Sequence, residues 1–151
     1  MSEFSITSQD FKEGEEIPKE CGYKHGNVAP WIGFNHTPKG TKCEALIMDD
    51  PDAMGAVGKV WVHWVMWNVD PTTAEIVEST VPSGAVEGMT DFGQVGYGGP
   101  APPDKRHTYV FKLYALDTKL DLSSESTKAD VEKTMEGHII EQTTLTGTYA
   151  P

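Results

Sequence analysis

The chain has 151 residues, 38% of them hydrophobic, and its 12 basic and 23 acidic side chains give a net charge of −11. This length fits one domain over residues 1–151, and the composition is typical of a soluble globular protein. The acidic balance argues against nucleic-acid binding, which requires a basic face. No apolar run reaches the roughly 18 residues of a membrane-spanning helix, so no membrane span is predicted.

The elements predicted first along the chain are strands. Glycines and prolines spaced through residues 1–40 favour short strands joined by turns. Residues 42–48 form a candidate strand. Residues 60–69, rich in β-branched and aromatic side chains, form the strongest strand in the sequence. Both faces of this strand are largely apolar, which predicts a central position with both sides buried.

The second half of the chain predicts further strands and a long loop. Residues 74–80 form a weaker strand. Ten of the 25 residues in the 82–106 loop are glycine or proline, and so long a loop in a compact domain is usually functional or disordered. Residues 108–116 form the last strong strand, and residues 143–149 form a final one.

One helix is predicted near the C-terminal end. Thr127 and Asp130 form a plausible capping pair, and the apolar residues Val131, Met135 and Ile139 recur at four-residue spacing. The whole pattern predicts a mainly antiparallel β domain with a late helix.

The first residues and the two cysteines bear on the cellular compartment. Residues 1–5 lack a basic region followed by an apolar one, so no signal peptide is predicted and a cytoplasmic location is expected. Cys21 and Cys43 are not in a C-x-x-C motif, and two reduced, buried thiols are the favoured prediction. Pairing of the two in a disulfide stays open at this point.

Simple up-and-down strand directions bring several polar residues together. The first candidate strand ends where the second begins, and the long loop and the last strong strand start at that same end. We therefore expect one end of the sheet to gather Asp50, Asp52, His63, the 82–106 loop and His107.

These residues suit a small oxyanion. His63 and His107 can each donate from a ring nitrogen, Tyr109 offers a hydroxyl, and the backbone N–H groups of Gly98 and Gly99 can add donors. Convergent donors in a partly dry pocket favour a phosphate-like group. Aspartates beside a histidine can orient it by accepting from its other ring nitrogen, or can meet a cationic group next to the phosphate.

Other chemistries lack a supporting motif. The segment 96–99 is neither a dinucleotide fingerprint nor a Walker loop, and H-E-x-x-H, paired C-x-x-C and G-x-S-x-G motifs are absent. A metal on His63, His107 and an aspartate, or acid–base catalysis by His63 with Asp50, stays open without a spacing that demands either. No cofactor or metal is predicted.

Four motifs follow one another along the chain. They are Asp50-Pro51-Asp52-Ala53, Val62-His63-Trp64-Val65, Gly96-Tyr97-Gly98-Gly99-Pro100-Ala101-Pro102-Pro103 and His107-Thr108-Tyr109-Val110-Phe111. This series resembles the phosphatidylethanolamine-binding protein family, and more closely its prokaryote-type branch, the Raf kinase inhibitor-like proteins. The resemblance covers nearly the whole chain.

The resemblance implies a mainly β fold, with a large central antiparallel sheet packed with a smaller second sheet and one C-terminal helix. It also implies a pocket for phosphate-like groups, such as a phospholipid headgroup, phosphoethanolamine or a phosphorylated ligand. Carried over by position, the ligand-binding residues are Asp50, Asp52, Trp61, His63, Gly99, Pro100, His107 and Tyr109. Of these, Trp61 is expected to be a wall and not a donor.

The family that the chain resembles consists mainly of binding and regulatory proteins, including inhibitors of protein kinases and of peptidases. We therefore expect a binding protein with no catalytic residues. Kinase or peptidase inhibition through protein contact is the alternative, and a histidine–aspartate hydrolase is less favoured. A homodimer is expected by analogy alone. Met54 stands where the family commonly has proline, and Thr108 where it has arginine; both departures bear on the identity of the ligand.

Overall fold

The computed structural model describes residues 3–151, which form eight strands and two α-helices. In chain order the strands are β1 (Ser5–Thr7), β2 (Ile32–Asn35), β3 (Cys43–Asp50), β4 (Trp61–Val69), β5 (Glu75–Ile76), β6 (Val86–Glu87), β7 (His107–Leu116) and β8 (Ile139–Tyr149). The helices are α1 (Ala53–Val57) and α2 (Lys128–Met135), and a short 3₁₀ turn spans Lys19–Cys21.

Two antiparallel sheets confirm the predicted fold class. The large sheet has the strand order β6-β4-β3-β7-β8, and the small sheet has the order β1-β2-β5. All eight residues of β3 are buried, so β3 is the true centre of the large sheet. The strand predicted at 60–69 is its neighbour β4, and only the two-residue β6 lies outside it.

The large sheet is buried on both faces because different elements cover them. Leu46 and Met48 of β3 point towards the small sheet, in one apolar cluster with Ile6 and Ile32. Ala45, Ile47, Val65 and Trp67 point the other way and pack with Val131 and Met135 of α2. Alternating side chains in a strand face opposite sides of a sheet. The apolar character of both faces of residues 60–69 is thus explained by cover on each side.

Two predicted elements differ in the structure. The 74–80 strand is reduced to β5, which pairs with β2 in the small sheet instead of returning beside β4. Ile76 is the residue of β5 that is buried, and it joins the core between the sheets. Ile139, expected at the end of the helix, instead opens β8, which is therefore four residues longer than the predicted 143–149 strand.

The helix prediction is confirmed at its N-terminal end. Thr127 and Asp130 form a reciprocal capping box, and Val131 and Met135 are the buried residues of α2. The capping box satisfies backbone donors that the first turn of a helix leaves free.

Cys21 and Cys43 are both buried and unpaired, and they belong to the apolar clusters on opposite sides of the large sheet. This agrees with the prediction of two buried free thiols. Within residues 3–151, no helix is long and apolar enough to cross a membrane.

Candidate functional site

A cavity of about 160 Å³ lies at the end of the large sheet where β3 ends and β4 and β7 begin. Its polar wall is formed by Asp50, His63, His107 and Tyr109, from three neighbouring strands. Its apolar wall is formed by Ala53, Ala56, Val57, Trp61, Phe92, Ala101 and Pro103. The volume is below the roughly 300–1,000 Å³ of pockets for drug-sized ligands, so the cavity suits a small group.

His107 is the first residue of β7, and its ring is fully buried between two carboxylates. Its Nδ1 lies 2.6 Å from Oδ2 of Asp50, and its Nε2 lies 2.7 Å from Oδ1 of Asp104. Because ionised carboxylates only accept, both ring nitrogens donate and the ring is an imidazolium. Burial opposes this charge, but the hydrogen bonds to Asp50 and Asp104 and their negative charges outweigh burial and raise the pKa of His107.

His63, on β4, has the opposite protonation. Its Nδ1 lies 2.6 Å from the carbonyl oxygen of Gly98, and a carbonyl only accepts, so Nδ1 carries the proton. Burial lowers the pKa of His63, against the effect of this hydrogen bond, and keeps the ring neutral. Nε2 is then an acceptor, and no described residue forms a hydrogen bond with it. The cavity therefore pairs a donor histidine with an acceptor histidine.

Tyr109 adds a hydroxyl without a partner. Its side chain is fully buried beside both histidines, with its ring centroid 5.1 Å from that of His63 and 6.3 Å from that of His107. Within the described part of the chain, the hydroxyl forms no hydrogen bond of good geometry, although the carboxylate of Asp50 and the backbone of Ala101 lie near it. Burial, and next the charge of Asp50, raises the pKa of Tyr109, so the hydroxyl keeps its proton. Leaving such a group unpaired costs about 1–3 kcal/mol, which a ligand can recover.

The predicted site residues divide into two groups. Asp50, Trp61, His63, His107 and Tyr109 line the cavity, whereas Asp52, Gly99 and Pro100 are not part of its lining. Strand direction predicted the common position of Asp50, His63 and His107. A ligand-binding role for the first group stays a prediction at this point.

Asp52 and Pro100, of the second group, form hydrogen bonds that hold the backbone near the cavity. Oδ2 of Asp52 accepts from the backbone N–H of Thr108 at 2.8 Å, and the backbone N–H of Asp52 donates to Oδ1 of Asp50 at 3.0 Å. The carbonyl of Pro100 accepts from the N–H of Tyr23 at 2.9 Å. These contacts fix the loops around the cavity.

The backbone donors expected from the glycine-rich loop are already occupied. The N–H of Gly98 donates to the carbonyl of His63 at 2.8 Å, and the N–H of Gly99 donates to Oδ1 of Asn27 at 2.7 Å. The prediction that they face an anion is wrong, because the loop folds back on β4 and uses these groups to hold itself there.

The sequence analysis did not single out Phe92, which lines the cavity, or Asp104, which contacts His107. Phe92 lies inside the 82–106 loop, where no periodicity marks it, yet its ring stacks on Tyr23 at 4.3 Å and meets Trp61 edge-on at 5.7 Å. Asp104 precedes His107 by three residues, and a carboxylate that close to a candidate histidine was the available signal. Its hydrogen bond with Nε2 of His107 depends on a loop conformation that the sequence does not reveal.

Within residues 3–151, no group of three or more histidine, cysteine, aspartate or glutamate side chains is placed to hold a metal ion. At the cavity, both nitrogens of His107 and Nδ1 of His63 already have hydrogen-bond partners.

This fold, with a small polar and apolar cavity at one end of its large sheet, is that of a known class of ligand-binding β proteins. The family model described as "Phosphatidylethanolamine-binding protein" matches residues 7–150. The chain belongs to the phosphatidylethanolamine-binding protein family.

Individual relatives agree with this membership over the full chain. A UPF0098 protein of Methanothermobacter thermautotrophicus is 39% identical over 150 residues, which is 96% of this chain and 97% of that protein. The crystal structure of a phosphatidylethanolamine-binding protein homologue from Chlamydia trachomatis has a TM-score of 0.91 and 35% identity, covering 97% of this chain and 96% of that one. Escherichia coli YbcL has a TM-score of 0.90 and 34% identity, covering 98% of each chain.

Proposed function

We propose that this protein binds a small oxyanion of the phosphate or phosphomonoester type in the cavity at His63, His107 and Tyr109. The observation that carries the proposal is the contact at Nε2 of His107, where the carboxylate of Asp104 sits at 2.7 Å. The imidazolium, fixed on its other side by Asp50, thus already holds one oxyanion oxygen that belongs to the chain itself.

The hydrogen-bonding pattern around the cavity favours a phosphoryl group that carries a proton. Nε2–H of His107 and the hydroxyl of Tyr109 are donors, and Nε2 of His63 is an acceptor. A monoprotonated phosphate has oxygens for the two donors and one hydroxyl for the acceptor. Sulfate has the same shape but no proton at neutral pH, so it leaves Nε2 of His63 facing a second acceptor.

The apolar wall supports a ligand whose oxyanion is attached to an apolar group. Trp61 and Phe92 belong to the apolar wall, as does Val57, which is 53% exposed; Met54, on the same helix α1, is 55% exposed. Exposed apolar residues grouped beside a polar pocket are typical of binding surfaces. A phosphomonoester with a small aromatic or alkyl substituent fits both parts of the cavity.

Calorimetric titration with phenyl phosphate, inorganic phosphate and sulfate at about pH 5.5, where a phosphomonoester with a second pKa of about 6 keeps one proton, tests this proposal. We expect phenyl phosphate to bind most tightly and sulfate most weakly. His107→Gln should abolish binding, and His36→Gln, which changes an exposed histidine elsewhere, should not. Equal affinity for phosphate and sulfate, or equal binding by the His107 variant, would overturn the assignment.

A second candidate function is regulation of a partner protein, such as a protein kinase or a peptidase, through contact at the cavity mouth. The exposed Met54 and Val57 on α1 favour it, because they extend the apolar surface beyond the cavity. Affinity capture from the native host, with Val57→Asp as the control bait, tests it. Retention of the same enzyme by both baits, or of no enzyme, counts against this candidate.

The cytoplasmic location and the homodimer stay predictions.

A further inference from the structure

Asp104 belongs to the loop before β7, and its side chain reaches forward along the chain to the ring of His107, three residues later. Its side chain is 41% exposed, whereas the ring that it contacts is 0% exposed. We propose that Asp104 is a tethered competitor: its carboxylate occupies the oxyanion position on Nε2 of His107, and a ligand must displace it to bind. This inference rests on the oxyanion-binding function proposed above.

The two carboxylates on His107 differ in their freedom to move. Asp50 lies at the end of the central strand with its side chain 4% exposed, and its second oxygen accepts from the backbone N–H of Asp52. Asp104 lies just before β7, in the segment 101–106, which has no regular secondary structure. Asp50 therefore stays in place, and Asp104 is the partner that can leave.

Displacement of Asp104 requires little rearrangement. Its carboxylate is already partly in contact with water, so solvation replaces most of the lost interaction when it swings away. The segment from Ala101 to Arg106 contributes no strand pairing to the large sheet, so it can shift without breaking the ladder of β7. The departure exposes Nε2–H of a ring that remains fixed by Asp50.

The tether has a consequence for affinity. A carboxylate held three residues away acts at a high effective concentration, so the site is closed for much of the time. The apparent affinity for any external oxyanion falls in proportion to the fraction of molecules that are open.

The tether also has a consequence for selectivity. When a simple carboxylate such as acetate replaces Asp104, His107 exchanges one carboxylate oxygen for another, and no hydrogen-bonding energy is gained there. A phosphoryl group offers further oxygens to Tyr109 and a proton to His63, so it outcompetes Asp104 where acetate does not. Asp104 thereby discriminates between tetrahedral oxyanions and carboxylates.

Calorimetric titration of the full chain with inorganic phosphate and with acetate tests this role. Three proteins are compared at physiological ionic strength, where long-range charge effects are screened: the wild type, Asp104→Asn and Asp117→Asn. Asp117 is a matched control, because it also pairs with a histidine, His138, at 2.8 Å, at the opposite end of β7. Both aspartates are on the surface, so both variants are expected to fold.

We expect Asp104→Asn to bind phosphate roughly tenfold more tightly than the wild type, from the gain in the open fraction. It should also bind acetate measurably, and Asp117→Asn should match the wild type with both ligands. If the wild type binds phosphate and Asp104→Asn binds it no more tightly, the competitor role is overturned while the oxyanion site stands. If no protein binds phosphate, the proposed function itself fails.

Discussion

Oδ2 of Asp50 lies 2.6 Å from Nδ1 of His107, and the two side chains are 4% and 0% exposed. This pair joins the end of the central strand β3 to the start of β7. It fixes the ring orientation of His107 and keeps its charge, so Nε2 is a donor, and in this structure it donates to Asp104. Asp50 is therefore the residue that makes an oxyanion site possible in a protein with a net charge of −11.

Asp50→Asn should lower both the pKa of His107 and the stability of the fold. Since the folded-state pKa of His107 is raised, its stabilising contribution is full below the unfolded value of about 6.5 and is lost as the pH rises through the folded value. We expect the variant to lose roughly 2–3 kcal/mol of unfolding free energy at about pH 6, since a charged hydrogen bond is removed. Denaturant unfolding at several pH values measures this. A loss that grows towards alkaline pH would contradict it.

Tyr109→Phe should separate binding from folding. The hydroxyl has no partner among the described residues, and an unpaired buried polar group costs about 1–3 kcal/mol, so its removal should raise the unfolding free energy by up to that amount. Phosphate affinity should fall about fivefold to tenfold, the value of one hydrogen bond. Tyr97→Phe is the control: its hydroxyl donates to the carbonyl of Cys21 at 2.8 Å, so stability should fall and affinity should not. The reverse pattern would show that the hydroxyl of Tyr109 is structural.

Gly99→Ala should destabilise the fold through a backbone clash. A Cβ at Gly99 would lie 2.0 Å from the carbonyl oxygen of Cys21 and 2.9 Å from the backbone nitrogen of Tyr23. We expect a loss of about 2 kcal/mol or more in thermal or denaturant unfolding. Gly55→Ala, in α1, meets nothing within 4 Å and should be neutral or stabilising by up to about 1 kcal/mol. Equal stability of the two variants would rule out this close approach.

Glu44→Gln should remove a pH dependence of stability. Glu44 is fully buried, one of its carboxylate oxygens has no partner among residues 3–151, and burial raises its pKa from 4.5 to about 7. Between these values the folded state holds a proton that the unfolded state has lost, so stability falls as the pH rises from about 4.5 to about 7. Between about pH 4.5 and about pH 8, the unfolding free energy of the wild type should therefore fall by on the order of 3 kcal/mol more than that of the variant. Glu141→Gln, at an exposed position, should show no such gain, and a flat wild-type profile would contradict the prediction.

The strands and the capped helix could be predicted because their signals are local. The β-branched and aromatic run at 60–69 predicts β4 within one residue, and Thr127 with Asp130 predicts the start of α2. The place of residues 74–80 could not be predicted, since it depends on which sheet offers a partner for Ile76. Register and sheet membership are long-range properties, and the local pattern does not carry them.

The candidate site was predictable where it lies on strands and less so on loops. Asp50, His63 and His107 follow from strand direction, because each stands at or near a strand end on the same side of the sheet. Loop conformation decides that the N–H groups of Gly98 and Gly99 bond within the fold, and that Asp104 forms a hydrogen bond with His107. The sequence pattern does not show either. The place of Tyr109, two residues after His107, already predicted it as a donor, and the resemblance added Trp61 and Pro100 as site residues. The lack of a partner for the Tyr109 hydroxyl is visible only in the structure.

The most direct test of oxyanion binding is the NMR of the ring nitrogens of His63 and His107 during titration with millimolar phosphate. We expect the Nε2 signal of His63 to shift as it accepts a hydrogen bond while Nδ1 keeps its proton. Both nitrogens of His107 should remain protonated while Nε2 shifts as phosphate replaces Asp104. If neither Nε2 signal moves, the cavity at the end of the large sheet is not an oxyanion site.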